Sequence, residues 1–143
     1  MKDIMLKITG NQFSGDDQDR VEFITAGTMF SDNEATYISY DETEISGFEG
    51  CSTKLTIKPE SVVLTRSGSE MGETVMCFEK GKRYSGFYST PMGNIGLELL
   101  TNDVRGVAPG ESISKLSIDY DISLKGIIES RNTIDIEILG EVQ

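Results

Sequence analysis

The stretch LSIDYDISL at residues 116–124 alternates apolar and polar side chains without a break. Successive side chains of a β-strand point to opposite faces of the sheet, so this stretch has one apolar face and one polar face. The apolar face consists of Leu116, Ile118, Tyr120, Ile122 and Leu124. The run TIDIEIL at 133–139 repeats the pattern with Ile134, Ile136 and Ile138. Both stretches are predicted to be strands that bury one face.

The same alternation continues through most of the chain. It recurs at Ile4, Leu6 and Ile8, at Val21 and Phe23, at Leu55 and Ile57, at Val62 and Leu64, at Met76 and Phe78, at Tyr84 and Tyr88, and at Ile95, Leu97 and Leu99. Turn-forming residues separate the runs, in RSGSE (66–70), EKGK (79–82), TPMGN (90–94), VAPGES (107–112) and LKGIIESRN (124–132). The polar run NQFSGDDQDR at 11–20 is interpreted as the first hairpin loop.

These runs predict an all-β fold in a single domain over residues 1–143. We expect an antiparallel meander of about 8–10 strands that closes into a barrel, because sheets with so many strands curl and closure removes exposed edges. A two-sheet sandwich is the structural alternative.

The composition excludes several classes of function. The chain has no His, which removes the commonest general base and zinc ligand, and its two Cys do not form a metal-binding or redox motif. A net charge of −11 opposes binding to DNA or RNA, although it is compatible with a basic protein partner. The first residues, MKDIMLKITG, do not resemble a secretion signal, and no later stretch is apolar enough to span a membrane. We therefore expect a cytoplasmic protein without membrane association, catalytic residues or cofactor.

The most acidic strand suggests a candidate site. In ISYDETEISGFEG (38–50), alternation places Tyr40, Glu42 and Glu44 on one face. Arg66 shares a face with the apolar Val62 and Leu64, which indicates that it points into the barrel. Arg seldom lies among inward apolar residues without an anion to meet.

Two interpretations of Arg66 remain open. In the structural one, it forms an ion pair with Glu42 or Glu44 that closes one end of the barrel. In the functional one, Arg66 and a tyrosine (Tyr40, Tyr84 or Tyr88) hold the polar end of a ligand, as charge-assisted hydrogen bonds allow. Inward glutamates would oppose an anionic ligand.

Glu42 and Glu44 also resemble part of another pattern, the Glu-x-Glu-x-Lys strand of triphosphate tunnel metalloenzymes. In those acidic β-barrels the carboxylates hold a divalent metal and inward cations neutralise the triphosphate. Here Ser46 stands in the lysine position, and only one strand offers converging carboxylates. The other carboxylate pairs, expected to face water, are Asp119 with Asp121 and Asp135 with Glu137. No metal ligand is therefore assigned.

The order of motifs resembles the YwiB-like family, bacterial proteins of unknown function with calycin-like β-barrels. The matching pieces are YDETEISG (40–47), TKLTIKP (53–59), LTRSG (64–68), VMCFEKGKR (75–83), YSTPMGNIGLEL (88–99) and IDYDISLKG (118–126). This resemblance implies a lipocalin-like meander barrel with a central cavity. It implies no established activity, so no catalytic residue is carried over.

Three functions follow, in order of preference. The first is a non-enzymatic protein that binds a small, partly apolar ligand inside the barrel. The second is an interaction or regulatory module whose acidic outer surface meets a basic protein. The third is a metal-dependent triphosphatase.

Overall fold

The computed structural model describes residues 1–42, 50–68, 72–90, 93–105, 115–125 and 128–142. These residues form ten strands: β1 (Lys2–Ser14), β2 (Asp17–Ser31), β3 (Thr36–Asp41), β4 (Cys51–Ile57), β5 (Val62–Gly68), β6 (Glu73–Phe78), β7 (Arg83–Thr90), β8 (Gly93–Arg105), β9 (Lys115–Leu124) and β10 (Ile128–Glu141). Glu44, which the sequence places in the candidate site, lies outside the described residues. Within the described ranges, no helix has the length and hydropathy that a membrane crossing requires.

All ten strands belong to one antiparallel sheet, in the order β6-β5-β4-β3-β2-β1-β10-β9-β8-β7. Among the ladders of the described residues, only that between β1 and β10 joins strands that are not consecutive in the chain. This connectivity leaves β6 and β7 at the two ends of the sheet, where they come together as the sheet curls. The predicted all-β antiparallel meander barrel is confirmed, in its nearly closed form, and the two-sheet sandwich is not what forms.

The junction between β6 and β7, which we call the seam, is closed by side-chain chemistry rather than by a described backbone ladder. The Ser89 N–H of β7 donates to Thr74 Oγ1 of β6 at 3.0 Å, in a buried hydrogen bond. The turn after β6 is bound to β8 instead: Gly81 N–H donates to the Thr101 carbonyl at 2.8 Å, and Thr101 N–H donates to the Lys82 carbonyl at 3.2 Å. Backbone groups of this turn therefore bond to β8, and Lys82 N–H donates to the Glu79 carbonyl within the turn.

The core lies on the inner faces of the strands, as the alternating runs predicted. The fully buried apolar side chains include Ile4, Leu6, Ile38, Leu55, Leu64, Phe78, Leu97, Leu116, Ile118 and Ile136. Burying one such side chain contributes about 1.5–3 kcal/mol relative to leaving it exposed, so these rows dominate the stabilisation of the barrel.

Gly27 of β2 allows the barrel wall to pack closely. A Cβ at Gly27 would lie 2.6 Å from the Ser39 carbonyl oxygen and 2.9 Å from Leu6 Cδ1. The first of these atoms belongs to the backbone of the neighbouring strand and cannot move aside easily. Only the absence of a side chain lets β2 and β3 approach to this distance.

The interpretation of residues 11–20 as a hairpin loop was wrong. Strand β1 continues to Ser14 and β2 begins at Asp17, with Asn11 paired to Arg20 and Ser14 paired to Asp17. Most side chains in this hairpin tip are exposed, so they carry no apolar alternation. Backbone pairing extends the strands beyond the core, which the apolar pattern does not report.

Candidate functional site

Two neighbouring rows of inward side chains on β3, β4, β5 and β6 differ in polarity. The apolar row consists of Ile38, Leu55, Leu64 and Met76, each paired directly with the next. The polar row lies two residues further along the same strands and consists of Tyr40, Thr53, Arg66 and Thr74. Directly paired residues share a face of the sheet, so both rows line the interior. The barrel interior therefore changes from apolar to polar within two residues along each of these four strands.

Glu42 joins the polar row from the residue after β3. Its backbone N–H donates to the Cys51 carbonyl at 2.9 Å, which turns the side chain inward, where it is only 2% exposed. Thr53 Oγ1 donates to Glu42 Oε1 at 2.5 Å. The same carboxylate oxygen lies 3.6 Å from Arg66 Nε, in an ion pair whose Arg side chain is 14% exposed. Arg66 is therefore the more accessible member of a buried pair.

Tyr40 lies beside this ion pair and is almost completely buried. Burial raises the pKa of the Tyr40 hydroxyl well above its usual value, and the negative charge of Glu42 raises it further. The positive charge of Arg66 opposes this rise in pKa without cancelling it. Tyr40 therefore stays protonated at physiological pH, and its hydroxyl hydrogen-bonds to Glu42 and Thr53 within the site.

Tyr88 and Tyr120, on strands beyond the seam, lie close enough to Arg66 for its charge to act on their hydroxyls. Burial raises the pKa of both hydroxyls, and the charge of Arg66 partly offsets the rise in each pKa. The Tyr120 hydroxyl accepts a hydrogen bond of 3.4 Å from Asn132 Nδ2, and its ring packs against Phe78 with 4.9 Å between centroids. The sequence placed Tyr120 on the apolar face of its strand and did not assign it to the candidate site, because its proximity to Arg66 depends on barrel closure.

The structure separates Tyr84 from this group. Tyr84 lies four residues before Tyr88 on β7, a distance of about 13 Å along a strand. Its ring lies across Gly86, where an added Cβ would meet the Tyr84 hydroxyl oxygen at 2.8 Å. Of the residues assigned to the candidate site, Tyr40, Glu42, Arg66 and Tyr88 come together, while Tyr84 lies further along the barrel wall.

Open space adjoins the inner face near Gly10. This glycine follows the inward Ile8 on β1 by two residues and pairs with Val21 and Ile134, whose side chains pack against the core. A Cβ at Gly10 would have no neighbouring atom within 4 Å. The interior is therefore not filled at this position, in contrast to the tight packing around Gly27.

The carboxylates of the last strands face outward, and cations or hydroxyls engage two of them. Arg131 Nε and Nη2 donate to the two oxygens of Asp119 at 3.1 and 2.6 Å, and Ser117 Oγ donates to Asp135 Oδ1 at 2.6 Å. Among the described residues, no group of three or more Asp, Glu or Cys side chains could hold a metal ion. In the part of the chain that the structure describes, the polar end of the interior thus offers hydrogen bonds and the ion pair between Arg66 and Glu42.

The fold and the site define a class of protein: a ten-stranded, calycin-like meander barrel with a polar group at one end of its interior. Within this class, the chain belongs to the family described as a domain of unknown function, DUF1934, whose model matches residues 6–136. This match, together with the solved structure described next, confirms the YwiB-like family of unknown function that was predicted from the sequence.

A solved structure shares the fold. The crystal structure of the ywiB protein from Bacillus subtilis matches with a TM-score of 0.74 and 19% sequence identity, over 97% of this chain and 93% of that chain. At this identity the likeness concerns the fold alone. No curated protein sequence matches the chain.

Proposed function

We propose that this protein is a non-enzymatic carrier or sensor that binds a small, partly apolar ligand inside the barrel. The observation that carries the proposal is the polar row beside the apolar row, in which Arg66 forms an ion pair with Glu42. A ligand with an apolar body and one polar end matches this arrangement. Apolar pockets with a few converging polar groups are the usual form of small-molecule sites.

The size of the barrel supports this proposal. A barrel of about eight strands is just wide enough for its side chains to fill or for one small ligand, and the diameter grows with strand number. This barrel has ten strands, and the inner face is open at Gly10. The interior is packed where Phe78 meets Tyr120 and around the fully buried Ile4, Leu6 and Ile136, so the ligand would occupy the open space beside Gly10.

The energetics of the buried pair also favour a function in binding. Removing two charges from water costs several kcal/mol per ion, and well-packed apolar residues often replace such a pair without loss of stability. A barrel that needed only stability would gain little from Arg66 and Glu42. Their presence inside is explained more simply if Arg66 also contacts a ligand.

Native mass spectrometry of gently purified protein tests the proposal. We expect a discrete extra mass that disappears under denaturing conditions, and loss of that mass in Arg66→Met. The matched control is Arg131→Met, which removes an outward Arg that pairs with Asp119 and should leave the bound mass unchanged. An Arg66→Met protein that folds and retains the ligand would contradict the role of Arg66.

Catalysis would overturn this proposal. The third function, a metal-dependent triphosphatase, would require metal-holding carboxylates with several converging cations. In the described interior, the polar end contributes one Glu and one Arg. If the purified protein released phosphate from triphosphate or a nucleotide with magnesium or manganese present, the carrier function would be wrong and the protein would be a hydrolase.

A groove on the outer surface favours a second function, docking of a basic protein segment. The groove has a volume of about 470 Å³ and crosses β7, β8, β9, β10 and the end of β1. Glu98 and Glu129 both pair with Ser123, so they lie on either side of Ser123 in the groove. Phe13 and Leu100 supply apolar surface. Asp121 and two arginines, Arg83 and Arg131, also line the groove, so it suits a segment whose Lys or Arg lies beside Glu98 and Glu129 and next to an apolar residue.

Salt-dependent binding tests this second function. We expect a lysine-rich peptide containing aromatic residues to bind more weakly as salt rises, and to bind more weakly to the double variant Glu98→Gln, Glu129→Gln. The control is Glu137→Gln, an outward carboxylate that does not line the groove. If the double variant binds the peptide as tightly as the wild type does, a basic partner either binds at another surface or does not bind this protein.

We also infer a cytoplasmic location. Cys51 and Cys77 are both free thiols, as is usual for proteins of a reducing compartment. Recovery of the protein in an oxidising compartment by cell fractionation would contradict this inference.

A further inference from the structure

The polar end of the interior presents hydrogen-bond donors first. Arg66 is 14% exposed and Tyr88 is partly buried, whereas the Glu42 side chain is only 2% exposed behind Arg66. A guanidinium has donors and no acceptor, and a phenol donates through its hydroxyl. A group entering this end of the barrel therefore meets donors, and the matching atom on a ligand is a hydrogen-bond acceptor.

The charge of Arg66 is already balanced within the site. Glu42 Oε1 lies 3.6 Å from Arg66 Nε, and Thr53 Oγ1 holds that oxygen at 2.5 Å. A ligand carboxylate or phosphate at Arg66 would stand within a few ångströms of the Glu42 carboxylate, where little water is present to screen the repulsion. Like charges at such separations in a protein interior are strongly unfavourable.

The tyrosines around Arg66 favour the same type of ligand. Tyr40 and Tyr88 are protonated at physiological pH, since burial raises the pKa of both hydroxyls; the Tyr40 hydroxyl is already bonded to Glu42 and Thr53, which leaves Tyr88 as the donor for a ligand. Neutral donors complement a neutral acceptor as well as they complement an anion, and they add no positive charge to offset Glu42. Among the residues that the structure describes, the site therefore lacks the excess of cations that selects a free acid.

We propose that the ligand is a neutral amphiphile whose polar end is a hydrogen-bond acceptor, such as an amide, a ketone or an alcohol, and that free fatty acids and phosphates are rejected. This inference rests on the proposed function, because it specifies the ligand class of the same site. It assigns Glu42 a role in specificity: the carboxylate neutralises Arg66 and so excludes anions.

A panel of three ligands with the same apolar body tests the inference: decanoic acid, decanamide and decanol. Binding is measured by titration calorimetry with the wild-type protein at neutral pH, where decanoic acid is ionised. We expect the two neutral ligands to bind at least about tenfold more tightly than decanoate, because like charges juxtaposed on binding cost several kcal/mol. Equal or tighter binding of decanoate would overturn the inference and leave the proposed function in place. Failure of all three to bind would overturn the proposed function, and the inference with it.

The variant Glu42→Gln gives an independent readout. Removing the carboxylate that faces Arg66 should strengthen decanoate binding by about tenfold or more, while decanamide binding changes little. Glu98→Gln, which neutralises an outward carboxylate on β8, should change neither affinity. An unchanged preference in a folded Glu42→Gln protein would overturn the specificity role of Glu42. If this variant does not fold, the three-ligand panel with the wild-type protein still decides whether the site prefers neutral ligands.

Discussion

Thr53 donates a hydrogen bond of 2.5 Å to Glu42 Oε1, and the same oxygen lies 3.6 Å from Arg66 Nε. One carboxylate oxygen thus receives a neutral donor at close range and faces a cation at longer range. Thr53 is completely buried and lies between Tyr40 and Arg66 in the polar row. The threonine therefore fixes where the negative charge of Glu42 stands inside the barrel.

Arg66→Met should destabilise the barrel strongly. It leaves the buried carboxylate of Glu42 without its ion-pair partner, and breaking a buried pair from one side costs about 3–5 kcal/mol. The double variant Arg66→Met, Glu42→Gln should recover much of this loss, because no buried charge then remains at the pair. The free energy of unfolding from urea titrations measures both effects. Additive losses from the two single substitutions would show that the two side chains are not energetically coupled.

Thr53→Val should lower the free energy of unfolding by about 1–3 kcal/mol, since it leaves a buried carboxylate oxygen without its donor while preserving shape. The control is Thr56→Val, on the same strand and the opposite face, where we expect a change within about 0.5 kcal/mol. Urea denaturation of both variants gives the comparison. Equal effects at the two positions would exclude a special role for the bond between Thr53 and Glu42.

Asp119 should make the stability of the outer sheet depend on pH. Arg131 donates to both of its carboxylate oxygens and thereby holds the pKa of Asp119 below its usual value. A carboxyl group whose pKa is lower in the folded chain stabilises the fold above its unfolded pKa, and loses this contribution as the pH falls through the folded pKa.

We therefore expect Asp119→Asn to reduce the free energy of unfolding by about 0.5–1 kcal/mol at neutral pH, the scale of a largely exposed pair. The difference from wild type should shrink below pH of about 4, near the unfolded pKa. In an Arg131→Met background the pH-dependent part should shrink, because of the described residues only Asn102 and the charge of Arg105 then lower the pKa of Asp119. A difference that persists undiminished into strong acid would contradict this origin.

Thr74→Val should weaken the seam. It removes the acceptor of the Ser89 N–H, a buried backbone donor, at a cost of about 1–3 kcal/mol. Hydrogen exchange should accelerate at the Ser89 amide more than at amides inside the ladder between β7 and β8. Thr65→Val, on the outer side of β5, is the control. Unchanged protection of Ser89 in the Thr74→Val protein would show that another contact closes the seam.

Gly10 and Gly27 should respond to substitution in opposite ways. Gly27→Ala places a methyl group 2.6 Å from the Ser39 carbonyl and should cost about 1–3 kcal/mol through strain. Gly10→Val enters open space on the inner face and should change the free energy of unfolding by less than about 1 kcal/mol. If the ligand occupies this space, Gly10→Val should also reduce the mass retained in native spectra. Equal destabilisation by both variants would mean that the interior is filled at Gly10.

Local alternation was sufficient to predict the strands and their inward faces. The runs around Leu116 and Ile134 identify the core because the direction of a side chain in a strand depends only on its position. The same rule indicated an inward Arg66, and its side chain lies on the inner face with Val62 and Leu64. Alternation failed at residues 11–20, where both faces are exposed and pairing alone maintains the strands.

The partners of Arg66 could not be derived in this way. Three features depend on register and closure. They are the carboxylate that Arg66 meets, the position of Thr53 between Tyr40 and Arg66, and the proximity of Tyr88 rather than Tyr84 to the pair. Register is set by the backbone pairing of each strand with its neighbour in the sheet, and closure by the bond between Thr74 and Ser89 and the attachment of the β6 turn to β8. The sequence by itself determined which side chains point inward. Only the tertiary structure decided which of them meet, because those contacts join strands that no local pattern aligns.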